Sequence, residues 1–144
     1  MRWLRILLVS AIAMLALGSV LFAADGGRRF VTTLTGDAEA PGPGDPDGSG
    51  EAVIVVNPGQ EEIHFELSVT GIAPATAAHI HEAPAGEPGP VIVTLVPPTE
   101  GTSSGTVSVD RELALEIIRN PSEYYVNVHN ADYPAGAVRG QLAR

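Results

Sequence analysis

Cysteine and lysine are both absent from the 144 residues, and all eight basic side chains are arginines. Without a thiol the chain has no disulfide, no thiolate metal ligand and no cysteine to carry an N-terminal lipid. Positive charge is scarce too. Eight basic side chains stand against 17 acidic ones, for a formal net charge of −9. That balance excludes nucleic acid as a partner and suggests a solvated surface with weak attraction for cations. Catalytic signatures are missing as well: no Ser-His-Asp arrangement, phosphate-binding glycine loop or acid pair is evident, so conventional hydrolase chemistry is not indicated.

What is present begins with an export segment. Arg2 and Arg5 precede an apolar run from Ile6 to Phe22 that only Ser10, Gly18 and Ser19 interrupt. The pattern reads as a signal peptide over residues 1–24 and places the protein in the periplasm, outside the cell or at the cell surface. The context Leu21-Phe22-Ala23-Ala24-Asp25 lacks a small residue at the usual −3 position, and the alternative is an uncleaved anchor, the one route to a membrane association. Removing Arg2 and Arg5 with the signal leaves six basic against 17 acidic side chains, or −11. The remainder, about 120 residues, is enough for one domain, taken as residues 28–144, to bury a core without staples.

Short apolar or alternating runs fill this part, separated by Gly, Pro and Asp clusters, which is the pattern of an all-β Greek-key sandwich or barrel. Eight strands are predicted: Phe30 to Leu34, Ala52 to Asn57, Ile63 to Val69, Ala77 to His81, Val91 to Val96, Thr106 to Val109, Tyr124 to His129 and Ala137 to Leu142. The third alternates cleanly, with Ile63, Phe65, Leu67 and Val69 inward and His64 outward. Asn57-Pro58-Gly59-Gln60 predicts a hairpin in which Gly59 supplies the positive φ. One helix is predicted, from Asp110 as N-cap to Arg119 ahead of Asn120-Pro121, closing one end of the sandwich.

Three of the four histidines fall at the ends of two of these strands, in His79-Ile80-His81 and Val126-Asn127-Val128-His129. Strand residues i and i+2 share a face at roughly 6–7 Å, so His79 and His81 can converge on one ion while Ile80 faces the core. With Val126 and Val128 inward, Asn127 and His129 lie on the outer face, and a third imidazole joins if the strands are neighbours. Three neutral imidazoles and no thiolate suit Cu(II) or Zn(II), and affinity alone favours copper. Binding is expected to weaken as the histidines protonate below about pH 6.5. Candidates for a fourth ligand are His64, Glu82 and Glu87, each of which is otherwise an ordinary surface residue. The structural alternative is that the three histidines cap strands and hydrogen-bond to the backbone of the loops Ala83 to Pro90 and Asn130 to Gly136.

Two further segments invite functional readings that a plainer one outweighs. Asp45-Pro46-Asp47-Gly48-Ser49-Gly50 opens like a calcium loop but has no bidentate Glu at the twelfth position, so a polar hairpin loop is favoured. Tyr124 and Tyr125 read as packing residues.

The chain resembles the CHRD domain, a family named for repeats in the animal protein chordin and common in exported bacterial proteins. The resemblance spans Phe30 to Leu142. It rests on Phe30 to Gly36 followed by Gly48-Ser49-Gly50, on Ala78-His79-Ile80-His81 with Gly86 to Val91 after it, and on Tyr124-Tyr125-Val126-Asn127-Val128-His129 running through Tyr133-Pro134-Ala135-Gly136-Ala137-Val138-Arg139-Gly140-Gln141-Leu142. Departures are Ala137, where the family usually has Glu, and Glu39-Ala40-Pro41, where Glu-Val-Pro-Pro is commoner. The resemblance implies a fold and an exported setting, and no general activity.

A more distant resemblance is to copper/zinc superoxide dismutase, a Greek-key barrel with copper on a His-x-His strand end and a later strand-end His. It implies His79, His81 and His129 as copper ligands and Arg139, on the last strand, as a guide for an anionic substrate. The bridging His, the remaining zinc ligands and the disulfide cysteines of that enzyme have no counterparts here. Pairing the last two strands symmetrically across Asn130 to Gly136 sets Asn127 opposite Arg139; an ion pair or bonds to loop carbonyls is the structural alternative for this arginine. Three readings follow: an exported copper- or zinc-binding protein, a small redox enzyme of superoxide dismutase type, and a metal-free module for adhesion or binding an extracytoplasmic protein.

Overall fold

The computed structural model describes residues 27–144, so the signal segment expected over residues 1–24 lies outside the described residues. Eight strands form: β1 (Arg28–Thr35), β2 (Ser49–Asn57), β3 (Glu62–Thr70), β4 (Ala75–Glu82), β5 (Val91–Leu95), β6 (Thr102–Ser108), β7 (Tyr124–Asn130) and β8 (Val138–Gln141). All pairings are antiparallel. They make one continuous sheet in the order β5-β4-β7-β8-β1-β2-β3-β6, rather than two separate layers. The sheet curls until its two ends approach each other, where Ser103 Oγ on β6 donates to the Val96 carbonyl just after β5 at 2.7 Å. With the ends brought together, β4, β5 and β6 follow one another and β7 returns beside β4, which is the Greek-key arrangement. The architecture is a nearly closed barrel.

Alternation explains most of it. Ala52, Ile54 and Val56 of β2, and Ile63, Phe65, Leu67 and Val69 of β3, line the interior together with Ile80, Val126 and Val128. Each fully buried aliphatic side chain of this kind contributes roughly 1.5–3 kcal/mol relative to exposure. The single α-helix, α1 (Arg111–Arg119), packs Ala114 and Ile117 onto this core, and the Asp110 carboxylate caps it by accepting from Leu113 N–H at 2.7 Å. A 3-10 turn, Pro121–Glu123, leads into β7.

Two local expectations are corrected. β6 starts at Thr102, four residues before the predicted Thr106, because Thr102-Ser103-Ser104 carry no apolar alternation and are held by main-chain pairing with β3. In the β2–β3 hairpin the positive φ belongs to Glu61 (56°), not Gly59. Asn57 Oδ1 accepts from Gly59 N–H and Gln60 N–H, closing the turn itself and shifting the left-handed residue to the re-entry into β3.

The two halves of the barrel differ in a way that positions the site. Strands β2 and β3 bury one face only, whereas Tyr124 to Val128 on β7 are buried on both. Two loops cover the outside of β4, β7 and β8: the 36–45 loop, pinned by Asp45 N–H donating to Ala137 O at 2.8 Å, and the 83–90 loop. The histidine-bearing outer face therefore lies partly under loops.

Candidate functional site

Cross-strand register assembles the histidines. β4 pairs with β7 so that His79 faces Asn127, His81 faces Tyr125 and Ala77 faces His129. His79 and His129 are thus diagonal neighbours, within reach of each other's rings. The β4–β5 pairing has a bulge between Ile80 and His81, with Ile92 on β5 as the extra residue. Donor nitrogens of His79, His81 and His129, one from each, all lie within 4.8 Å of one another. Imidazole centroids are 4.9 Å apart for His79 and His129, and 5.4 Å for His79 and His81.

Hydrogen bonds fix which nitrogens face inward. His81 Nδ1–H donates to Gly89 O at 2.8 Å, and His129 Nδ1–H donates to Pro134 O at 3.0 Å. In its neutral form each ring is thereby left with a lone pair on Nε2. That of His129 receives His79 Nδ1 at 3.0 Å. His81, only 7% exposed, has no partner at all for its buried Nε2. An acceptor buried without a donor is costly and calls for an explanation. Crowding and burial disfavour the charged form of two of the rings: burial first, then the neighbouring His129 and His81, bring His79 down to about 4, and burial also lowers His129.

The structural alternative for these histidines is realised at the same time, since His81 holds the 83–90 loop and His129 the 130–136 loop. The two readings are complementary: a ring nitrogen bonded to a backbone carbonyl is the arrangement that orients the other nitrogen as a ligand.

The remaining sequence candidates are not brought together with them. His64 lies on β3, four strands from β7 in the sheet, where it bonds Thr106 Oγ1 at 2.7 Å and approaches Glu62 at 3.6 Å. Its expected role as a fourth ligand is corrected accordingly. Glu82 and Glu87 are exposed and outside the cluster. Arg139 does pair with Asn127, as the register argument expected. It is nevertheless 1% exposed, and its guanidinium donates to Glu87 O at 2.7 Å, Pro84 O at 3.0 Å and Gln141 Oε1 at 3.1 Å. These bonds match the structural alternative and leave its donors turned into the protein.

Beside the histidines the covered face holds a polar layer that sequence reading missed. Tyr125, taken as a packing residue, stacks on His81 at 4.7 Å with the rings 4° from parallel, and Arg139 Cζ lies 3.4 Å over the other side of its ring. Its parity, shared with Asn127 and His129 rather than with Val126, was the signal. Glu39 comes from the 36–45 loop and is 8% exposed; burial raises its carboxyl to about 7 against the opposing pull of Arg139, Asn127 and the Ala40 amide. Gly136, at φ 139°, brings its backbone against that carboxylate where a side chain would collide. Nothing in the local sequence around Glu39 announces this burial.

Fold and site together define a single-domain Greek-key barrel with a three-imidazole cluster at the rim of a loop-covered face. The model of the CHRD domain matches residues 30–142, and the chain belongs to this family. Neither a curated protein nor a solved structure matches it.

Proposed function

We propose that this is an exported CHRD-domain protein that binds one transition-metal ion through His79 Nδ1, His81 Nε2 and His129 Nε2. The observation that carries the reading is His81 Nε2, buried and unpartnered on a ring that has a nitrogen within 4.8 Å of one on each of the other two imidazoles. The spacing of one pair supports it. Nitrogens bound to one ion at about 2.0–2.1 Å, with angles of about 90–110°, sit about 2.9–3.4 Å apart, and His79 Nδ1 and His129 Nε2 are 3.0 Å apart. His79 moves its ring proton from Nδ1 to Nε2 to offer that lone pair, a tautomer change that needs no net deprotonation. Three imidazoles favour copper, with zinc the alternative, and the deficit of positive charge draws cations toward the surface. Arg2, Arg5 and the apolar run after them support export. The dismutase reading has less support, because an anion guide must reach solvent and Arg139 is committed to loop carbonyls.

Titration of untagged protein with Cu(II) tests the proposal: one equivalent binds the wild type, and His129→Ala loses that stoichiometric site while keeping its fold. Equal binding by a folded His129→Ala contradicts it.

A further inference from the structure

Holding an exposed eight-residue loop does not by itself require a buried charge, yet Arg139 is buried to do so. Its two carbonyl acceptors, Glu87 O and Pro84 O, both belong to the 83–90 loop. Gln141, which also accepts from Arg139, donates to Ala83 O at 2.7 Å and ties down the start of the same loop. What this anchoring positions is the Gly89 residue. Gly89 N–H donates to the Tyr125 hydroxyl at 3.1 Å, and Gly89 O accepts from His81 Nδ1–H at 2.8 Å. Only glycine fits there, because a Cβ would run into the Glu82 carbonyl. Tyr125 therefore meets His81 directly through its stacked ring and indirectly through Gly89, whose N–H it accepts and whose carbonyl fixes the imidazole.

Resting on the metal reading above, we propose that Tyr125 and Arg139 are positioning residues for the histidine site. The stack of guanidinium, phenol ring and imidazole, with the Gly89 backbone as its link, holds His81 in the Nδ1–H tautomer with Nε2 presented to the ion, and so sets metal affinity and ligand geometry. Arginine rather than lysine suits the task, since a planar fork reaches two carbonyls while its face lies on an aromatic ring. Partners of this outer kind typically alter metal affinity by about 10–100-fold when removed.

Tyr125→Phe keeps the stack and removes the acceptor of Gly89 N–H; Arg139→Lys keeps the charge and removes the fork. Two readouts are taken on folded protein. Nitrogen-15 spectra of the metal-free histidine rings are expected to show one His81 tautomer in the wild type and a mixture in Tyr125→Phe. Cu(II) affinity is expected to fall by about 10-fold or more in both variants, with a changed nitrogen hyperfine pattern, and to stay unchanged in His64→Ala. A purely structural role lowers the melting temperature but leaves tautomer and hyperfine pattern alone. If the wild type takes up copper while tautomer, affinity and hyperfine pattern are unaltered in folded Tyr125→Phe, the positioning role is overturned by itself. Failure of the wild type to bind copper overturns the metal reading instead, whatever the tautomer shows.

Discussion

At His79 partial burial and then two neighbouring imidazoles act in the same direction, bringing its value to about 4 from the usual 6.5. At the proposed site, protons on His79 would compete with the ion only at lower pH than an ordinary histidine allows. Stability of the metal-free domain carries the same signature. Between about 6.5 and 4 the unfolded chain binds the proton that the folded ring refuses, so the contribution is complete above the upper value and is lost as pH falls through that window. Denaturant midpoints of wild type and His79→Gln, compared at pH 7.5 and 4.5, are expected to converge in the variant's favour at the lower pH. A parallel pH dependence in the two proteins contradicts the lowered value. His81 illustrates a different lesson at this scale: its position was readable from His-x-His, but its orphaned Nε2 depends on Gly89, eight residues away, through a loop whose course no local pattern specifies.

Among the elements, strands were legible where alternation was strong and illegible where main-chain pairing alone held them. The apolar alternation of β3 placed Ile63, Phe65, Leu67 and Val69 correctly in the interior, and Asp110 capped α1 as its side-chain chemistry required. Thr102 to Ser104 of β6 and the covering of β7 were not legible, the first for want of apolar residues and the second because both covers are loops. The 36–45 loop brings its own test. Glu39 has a folded value of about 7, above its ordinary 4.5, so the folded state holds the proton more tightly. Its stabilising contribution is complete below about pH 4.5 and is lost as pH rises through about 7. Glu39→Gln, which stays neutral, is expected to unfold at the same or higher urea concentration than wild type at pH 8 and to lose that advantage at pH 4.5. A variant equally destabilised at both values contradicts the raised value.

For the molecule as a whole, one barrel has two kinds of wall. The wall built from β2 and β3 is an ordinary one-sided sheet, while that of β4, β7 and β8 carries a second, polar layer of Glu39, His81, Asn127 and Arg139, all buried under loops. Barrel closure gives the rigid strands, and the loops hold the imidazoles that the strands bring together. The class of fold was readable from turn spacing and alternation; the polar layer required the pairing of β4 with β7 and β7 with β8 before its members became neighbours. A metal site on this wall accounts for the shared parity of the three histidines, the backbone carbonyls that orient two of them and the lone pair left without a donor. The most direct measurement is calorimetry and Cu(II) electron paramagnetic resonance on the untagged domain from Asp25 onward, beside the His79→Ala/His81→Ala double variant. One tight site with nitrogen hyperfine structure in the wild type, absent from the folded variant, is the expected result; identical titrations and spectra for the two proteins contradict the histidine site and leave a barrel that works by contact with another protein.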